Sequence, residues 1–212
     1  MEGRFCRLEP LDPERHAEAL YAAHSRDATG RTWTYLPYGP FDSLDAYRSW
    51  MDSFCRQDDP LFFVILTESE RAPVGVASYL RIAPGNGAIE VGHIHYTELL
   101  RKRPAATEAM YLMMSNAFDL GYRRYEWKCD ALNAASRTAA RRLGFSFEGI
   151  FRQATVYKGR NRDTAWFAVI DSEWDALNGA YQKWLDPGNF DGDGRQRTRL
   201  SDLTRTLPRR EA

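Results

Sequence analysis

The chain has 212 residues, 43% of them hydrophobic and 13% aromatic, which is enough apolar material for one packed domain and argues against a disordered chain. Its 29 Lys and Arg residues balance 29 Asp and Glu, so no global field would hold it on nucleic acid or an anionic membrane, and any anion site must be local. The opening MEGRFCRLEPLDPERH lacks the apolar core of a signal peptide, and no apolar run approaches the ~20 residues of a membrane span; a soluble, cytoplasmic protein is expected. Cys6, Cys55 and Cys129 have no CxxC spacing, so they read as reduced thiols, with Cys129 an apolar filler of a buried strand.

In chain order, a short strand over 5–11 leads through Asp12-Pro13, an N-cap and a preset first helical position, into a helix over 14–26. An aromatic loop, TWTYLPYGPF, follows from Thr32 to Phe41. Ser43 then caps a second helix with Leu44, Tyr47, Met51 and Phe54 on one stripe. The runs 61–66, 74–82 and 88–97, separated by turn signals at 70–73 and 84–87, describe a three-strand antiparallel meander. Residues 105–120 are helical in period and Gly121 closes them. A strand over 125–129, a short helix over 133–143 ended by Gly144, two strands over 145–157 and 164–170, and a final helix over 172–185 complete the order.

That order is β-α-α-β-β-β-α-β-α-β-β in one domain over 1–185, a mixed α/β class; the helix-free stretch from Leu61 to Thr97 excludes a continuous doubly wound parallel sheet. Residues 186–212 read as an extended basic tail, since 195–212 carry six arginines against two acids. The final helix presents Trp174, Tyr181 and Trp184, rings that serve either a homodimer contact or packing on the chain's own sheet.

Two motifs sharpen this. LLRKRPAATEA, Leu99 to Ala109, turns from a strand into the central helix, where backbone N–H groups and three basic side chains make an anion site. LNAASRTAARRLGFSFEG, Leu132 to Gly149, starts with two helix-capping residue types, Asn133 and Ser136. Element order and motifs together resemble the GNAT N-acetyltransferases over about Phe5 to Trp174, and most of all the ribosomal-protein N-terminal acetyltransferases of the RimJ and RimL type. The resemblance implies a mostly antiparallel central sheet of about seven strands flanked by helices. It also implies acetyl-CoA as cosubstrate, held by Arg101, Lys102, Arg103, Ala105, Ala106, Asn133 and Ser136. Pro104 stands where the family's central glycine falls, and it offers no N–H to a phosphate.

Acetyl transfer to an amine needs a group to take the ammonium proton, because an α-amine titrates at about 7.7–8.0 and a lysine near 10.4. Glu90 matches a family position for a catalytic or substrate-orienting glutamate and is the first candidate base; a surface carboxylate at a strand start is the alternative. His93 is the second candidate, its ordinary pKa lying near neutrality. Ser136 is the candidate to donate to the departing thiolate. Strict alternation would put Glu90, Gly92, Ile94 and Tyr96 on one face and His93 and His95 on the other. His93-x-His95 has no third ligand at convincing spacing, so no metal is expected. The RimJ/RimL pattern implies an acid near Thr155, which this chain lacks.

Trp33, Tyr35, Tyr38, Tyr157 and Trp166 form the expected acceptor wall, unless those rings simply plug the end of the sheet. The expected partners are acetyl-CoA and an amine, either a peptide N-terminus or a small molecule such as an antibiotic, polyamine or amino-acid derivative. A non-catalytic CoA-binding module is the alternative from another class, and a purely structural interaction domain a further one.

Overall fold

The computed structural model describes residues 1–67 and 70–207. Its strands are β1 (Cys6–Pro10), β2 (Leu61–Thr67), β3 (Glu70–Ala83), β4 (Ala88–Tyr96), β5 (Arg124–Asp130), β6 (Ser146–Tyr157) and β7 (Arg160–Ile170). The helices are α1 (Pro13–His24), α2 (Leu44–Trp50), α3 (Pro104–Asp119), α4 (Ala134–Arg142), α5 (Asp171–Leu185) and α6 (Leu200–Thr204). All seven strands form one sheet in the order β1-β2-β3-β4-β5-β7-β6. Every neighbouring pair is antiparallel except β4 and β5, which run parallel on either side of α3.

The expected caps form. Asp12 accepts from the Glu14 N–H, and Ser43 Oγ accepts from the Ala46 N–H. The second helix is shorter than its apolar stripe, because after Trp50 the chain widens into a π-turn over Met51–Cys55. The turn expected at 70–73 is strand instead. β3 begins at Glu70, and irregular register at Leu66 and Thr67 accommodates Pro73 opposite Leu66, since a bulge is where a sheet tolerates the missing N–H.

Two apolar clusters cover opposite faces of the sheet. One packs α3 and α5 on Ile89, Val91, Tyr125, Trp127, Phe145 and Phe167. The other packs α1, α2 and the aromatic loop on Phe62, Val64, Leu66 and Val76. Helix α3 is buried nearly all round, with alanines at 105, 109 and 117 letting it sit between sheet and α5. Gly144, at φ +95°, ends α4 where any side chain would strike Leu177 at 2.5 Å.

The final helix buries Trp174, Leu177, Tyr181 and Trp184 within its own chain, so its rings serve intramolecular packing. The large apolar side chains left exposed include Phe147, Ile150, Phe151 and Val156 on edge strand β6. The stretch expected to run as an extended tail folds back as far as residue 207. Asn189 is buried against the Trp184 carbonyl, Trp184 Nε1 donates to Gln196, and α6 buries Leu200 and Thr204. The apolar side chains Phe190 and Leu200 supply burial that arginine-rich composition obscured. Residues 208–212, with Arg209 and Arg210, lie outside the described residues.

Glu108, from the ATEA run of α3, is a structural clamp. Its buried carboxylate accepts three consecutive N–H groups, of Arg4 at 2.8 Å, Phe5 at 2.6 Å and Cys6 at 2.8 Å. A side chain on Gly3 would collide with that carboxylate at 2.5 Å. Charge-assisted acceptance of this kind is costly to break inside a protein. Glu108→Gln, which turns an amide donor toward these donors, is expected to cost about 1–3 kcal/mol and lower Tm by roughly 3–10 °C in a thermal melt; an unchanged Tm would contradict the clamp.

Candidate active site

Strands β4 and β5 pair through only four rungs, Ala88 with Arg124 to Val91 with Trp127. Beyond the last rung β4 continues along β3 to Tyr96, while β5 continues along β7 to Asp130. The two strands therefore part, leaving facing backbone edges without ladder partners from one another. The parting coincides with a bulge in β4. Gly92 pairs with Ser78 and His95 with Val76, so two residues oppose one, and His93 sits at φ +50°.

That extra residue overturns the strict alternation expected for this strand. Ile89 and Val91 face α3, and so do Ile94 and Tyr96 after the bulge. His93 and His95 instead turn toward the α1 and α2 side. His93 Nδ1 lies 3.0 Å from the Tyr38 hydroxyl among the rings of Phe54 and Phe62. His95 stacks on His24 at 3.8 Å, contacts Trp33, and places Nε2 2.8 Å from Thr32 Oγ1. The two imidazoles of His-x-His thus enter one ring cluster at different points, joined through the Tyr38–Trp33 contact.

Glu90 is buried, contrary to the surface alternative, at 3% exposure one rung before the parting. Lys128 Nζ approaches its Oε2 at 2.9 Å and Arg81 its Oε1 at 3.3 Å. The Lys128 contact joins opposite charges within hydrogen-bond distance of Oε2. Burial raises the Glu90 carboxyl above its ordinary value, Arg81 and Lys128 oppose that rise, and Glu126 adds to it. A carboxyl held upward is better matched to accepting a proton near neutrality.

Past the parting, the chain turns at Thr97–Arg103 into α3. Lys102 takes φ +59°, and the N–H groups of Lys102 and Ala105 have no acceptor among the described residues. Pro104 occupies the first helical position, as its fixed φ suits. Arg101, Lys102 and Arg103 are exposed, Ala106 is half-buried, and none of the three cations has an ion-pair partner among the described residues. Free N–H groups at a helix start, small side chains and three cations are the donor set that fits a pyrophosphate.

A family model described as an acetyltransferase (GNAT) domain matches residues 6–146. The chain belongs to the GNAT acetyltransferase family. This GNAT protein is similar to a solved GCN5-related N-acetyltransferase from Brucella melitensis, with 49% identity, 96% of this chain and 93% of that one covered, and a TM-score of 0.94. It is also similar to a probable GNAT-family acetyltransferase from Chromobacterium violaceum, at 44% identity, 82% and 87% coverage and a TM-score of 0.78. It shares its fold with a Salmonella typhimurium acetyltransferase described as modifying the N-terminal serine of ribosomal protein L7/L12, at 23% identity, 79% and 96% coverage and a TM-score of 0.67. No curated protein sequence matches it. GNAT enzymes use acetyl-CoA, and the donor set at the start of α3 is compatible with it.

The second motif is joined by hydrogen bonds to the end of the β4–β5 pairing. Asn133 caps α4 by accepting from the Ser136 N–H at 3.1 Å, and Ser136 Oγ accepts from the Trp127 indole at 2.9 Å. Because the indole is the donor there, that bond does not use the serine's own proton, which is within reach of the Cys129 thiol. Trp127 is the last β5 residue paired to β4, so Ser136 is tied to the point of parting.

The expected acceptor wall divides. Trp33 is buried among His24, His95, Tyr38 and Phe41 as a plug of the loop, and Tyr38 packs on His93. Tyr35 donates to the Leu132 carbonyl beside Asn133. Tyr157 donates to Asp130 at 2.8 Å, and burial leads the causes that raise its phenol. Trp166 lies over Lys128 at 3.7 Å from the ring centre, on the Glu90 side. Lys158 donates to the Trp33 carbonyl and Arg160 to that of Thr34. These bonds bridge the aromatic loop to the β6–β7 turn around a cavity of about 260 Å³ lined by Gly30, Trp33, Thr34, Pro40, Lys158 and Arg160. Thr155, where the family's acid was expected, is exposed on β6 opposite Arg162. Lys128 and Glu126 were missed by motif reading; their period-two spacing across β5 from Glu90 was the available signal.

The three histidines have a pH signature. Burial lowers His24 and His93 to about 4 and His95 to about 2. The unfolded chain therefore takes up these protons first, at about 6.5, so their stabilisation is present above that pH and is lost as pH falls toward the folded values. Glu90, raised in the fold, works in the opposite direction, but it is one group against three. Thermal melts are expected to show Tm falling from pH 6.5 to 4.5, less steeply in His24→Phe; a flat Tm across that window would contradict neutral burial.

Proposed function

We propose that this GNAT protein is a cytoplasmic N-acetyltransferase that moves the acetyl group of acetyl-CoA directly to a primary amine, with Glu90 as base. The observation that carries the reading is the position of a buried, upward-shifted carboxyl one rung before β4 and β5 separate. Acetyl-CoA supplies an activated acetyl thioester. Arg101, Lys102, Arg103 and the Lys102 and Ala105 N–H groups hold its phosphates in this reading; the Ala106 N–H, expected among them, donates instead to the Arg103 carbonyl, and Asn133 holds the pantetheine arm. Arg81 and Lys128 keep Glu90 ionised enough to accept the ammonium proton, directly or through a water. The acceptor nitrogen forms a C–N bond to the acetyl carbon as the C–S bond breaks, and Ser136 Oγ donates to the leaving sulfur. His93 is the weaker candidate, because a ring lowered to about 4 and engaged by Tyr38 has little appetite for a proton near neutrality.

A peptide or protein N-terminus is the proposed acceptor, supported by the fold shared with the L7/L12-modifying enzyme. The bridge between aromatic loop and β6–β7 turn supports acceptor entry beside Tyr35 and Tyr157. The test is thiol release from acetyl-CoA against N-terminal peptides and small amines, with a thermal melt of the same samples. Acetyl-CoA is expected to raise Tm, peptides to drive thiol release, and Glu90→Gln to lower kcat by roughly 10²-fold or more with little change in KM for acetyl-CoA. Turnover of small amines alone would overturn the peptide reading, and stabilisation without any release would leave a CoA-binding module.

A further inference from the structure

Lysine is a strongly hydrated cation, and burying it requires compensating partners. The Lys128 side chain is 5% exposed, and its Nζ has three of them: Glu126 Oε2 at 2.7 Å, Glu90 Oε2 at 2.9 Å and the face of Trp166 at 3.7 Å. The two acids it joins are unequal. Glu126 has a second cation, Arg124 at 2.6 Å, which is itself fixed by paired bonds to Glu148 at 2.7 and 2.5 Å. Among the described residues Glu90 has only Arg81 besides, at 3.3 Å and with a side chain 56% exposed, so water and salt screen that pair. Arg81 is aimed by Asp59, which accepts the Arg81 and Ile82 N–H groups where Arg81 adopts φ +47°.

Among the described residues, the charged groups acting on Glu90 are therefore Arg81 from β3 and Glu126 and Lys128 from β5, with Arg124 and Glu148 behind Glu126. Gly92, next on the same face, is covered by Leu80: a side-chain carbon there would lie 2.8 Å from Leu80 Cδ2 and 3.7 Å from Glu90 Oε1. One carboxylate oxygen of Glu90 thus faces Lys128 and the other faces Arg81.

We infer that Lys128 is a positioning residue: its ammonium, shared between Glu90 and Glu126 beneath Trp166, fixes the orientation of the Glu90 carboxylate that receives the acceptor's proton. The inference rests on Glu90 acting as the base. Lys128 itself is not the proton acceptor, because its nitrogen is an ammonium enclosed by two carboxylates and a ring face. Loss of the ammonium acts on Glu90 more than on Glu126, which retains Arg124. Without it Glu90 ionises at higher pH and turns more freely.

The experiment measures kcat, KM and the pH profile of kcat/KM for the wild type, Lys128→Gln, Lys128→Arg, Glu126→Gln and Glu90→Gln. Lys128→Gln is expected to lose about tenfold or more in kcat with KM for acetyl-CoA within about twofold. Its acid limb is expected to move to higher pH, and Lys128→Arg to recover most of the rate. Glu126→Gln removes the competing acid and leaves Lys128 in place, so its acid limb is expected to move the other way, to lower pH. That variant keeps the test open if Lys128→Gln does not fold. Acid limbs coincident with wild type in both the Lys128 and Glu126 variants, while Glu90→Gln is inactive, would overturn the positioning role alone. A fully active Glu90→Gln would overturn the base reading beneath it.

Discussion

The parting of β4 from β5 after Val91 and Trp127 is the constraint on which the site depends. Two parallel strands joined by a crossover helix normally continue their ladder, and an abandoned ladder leaves backbone donors and acceptors that need other partners. Here the bulge at His93 bends β4 away while Gly92 and His95 keep it bonded to β3. Three consequences follow from the one extra residue. A gap opens ahead of the α3 N-terminus, Glu90 is left at the last paired rungs, and both histidines are turned into the aromatic packing beneath α1 and the loop.

The scaffold around this gap is stiff on both sides. On one face α3 is wedged between the sheet and α5, and its first turn is tied to the N-terminal segment through Glu108, so the free N–H groups at its start are held in a fixed direction. On the other face Trp33 and the stacked His24 and His95 fasten the aromatic loop to β4. Arg160, Lys158 and Tyr35 then bind that loop to the β6–β7 turn and to the approach to α4. The proposed donor side, acceptor side and base are thereby attached to the same strand pair, and a shift in either strand would be felt by all three.

Much of this was legible in the sequence, and for identifiable reasons. Element order followed from period and punctuation. Asp12, Ser43, Gly121 and Gly144 act through local backbone chemistry that needs no tertiary context. The N-terminal start of α3 was readable because Pro104 is as good a first helical residue as glycine is a flexible one. What was not legible depended on an inserted residue or on distant partners. Nothing local to GHIHY announces that His93 will adopt positive φ, so the alternation reading put the histidines opposite Glu90. The tail's arginines hid Phe190 and Leu200, whose burial is decided by α5. Glu108 looked like part of a phosphate motif, whereas its partners lie about a hundred residues earlier. Lys128 became visible as a partner of Glu90 only once β4 and β5 were paired in register.

In the proposed function, the start of α3 and the gap between β4 and β5 form one continuous acetyl-CoA site. The most direct measurement is backbone amide NMR of the full chain titrated with acetyl-CoA. The largest saturable shifts are expected at Lys102 and Ala105, whose N–H groups have no acceptor among the described residues, and along 92–95 in β4. Saturation without movement at either of these two places would contradict the assignment of the gap as the cosubstrate site.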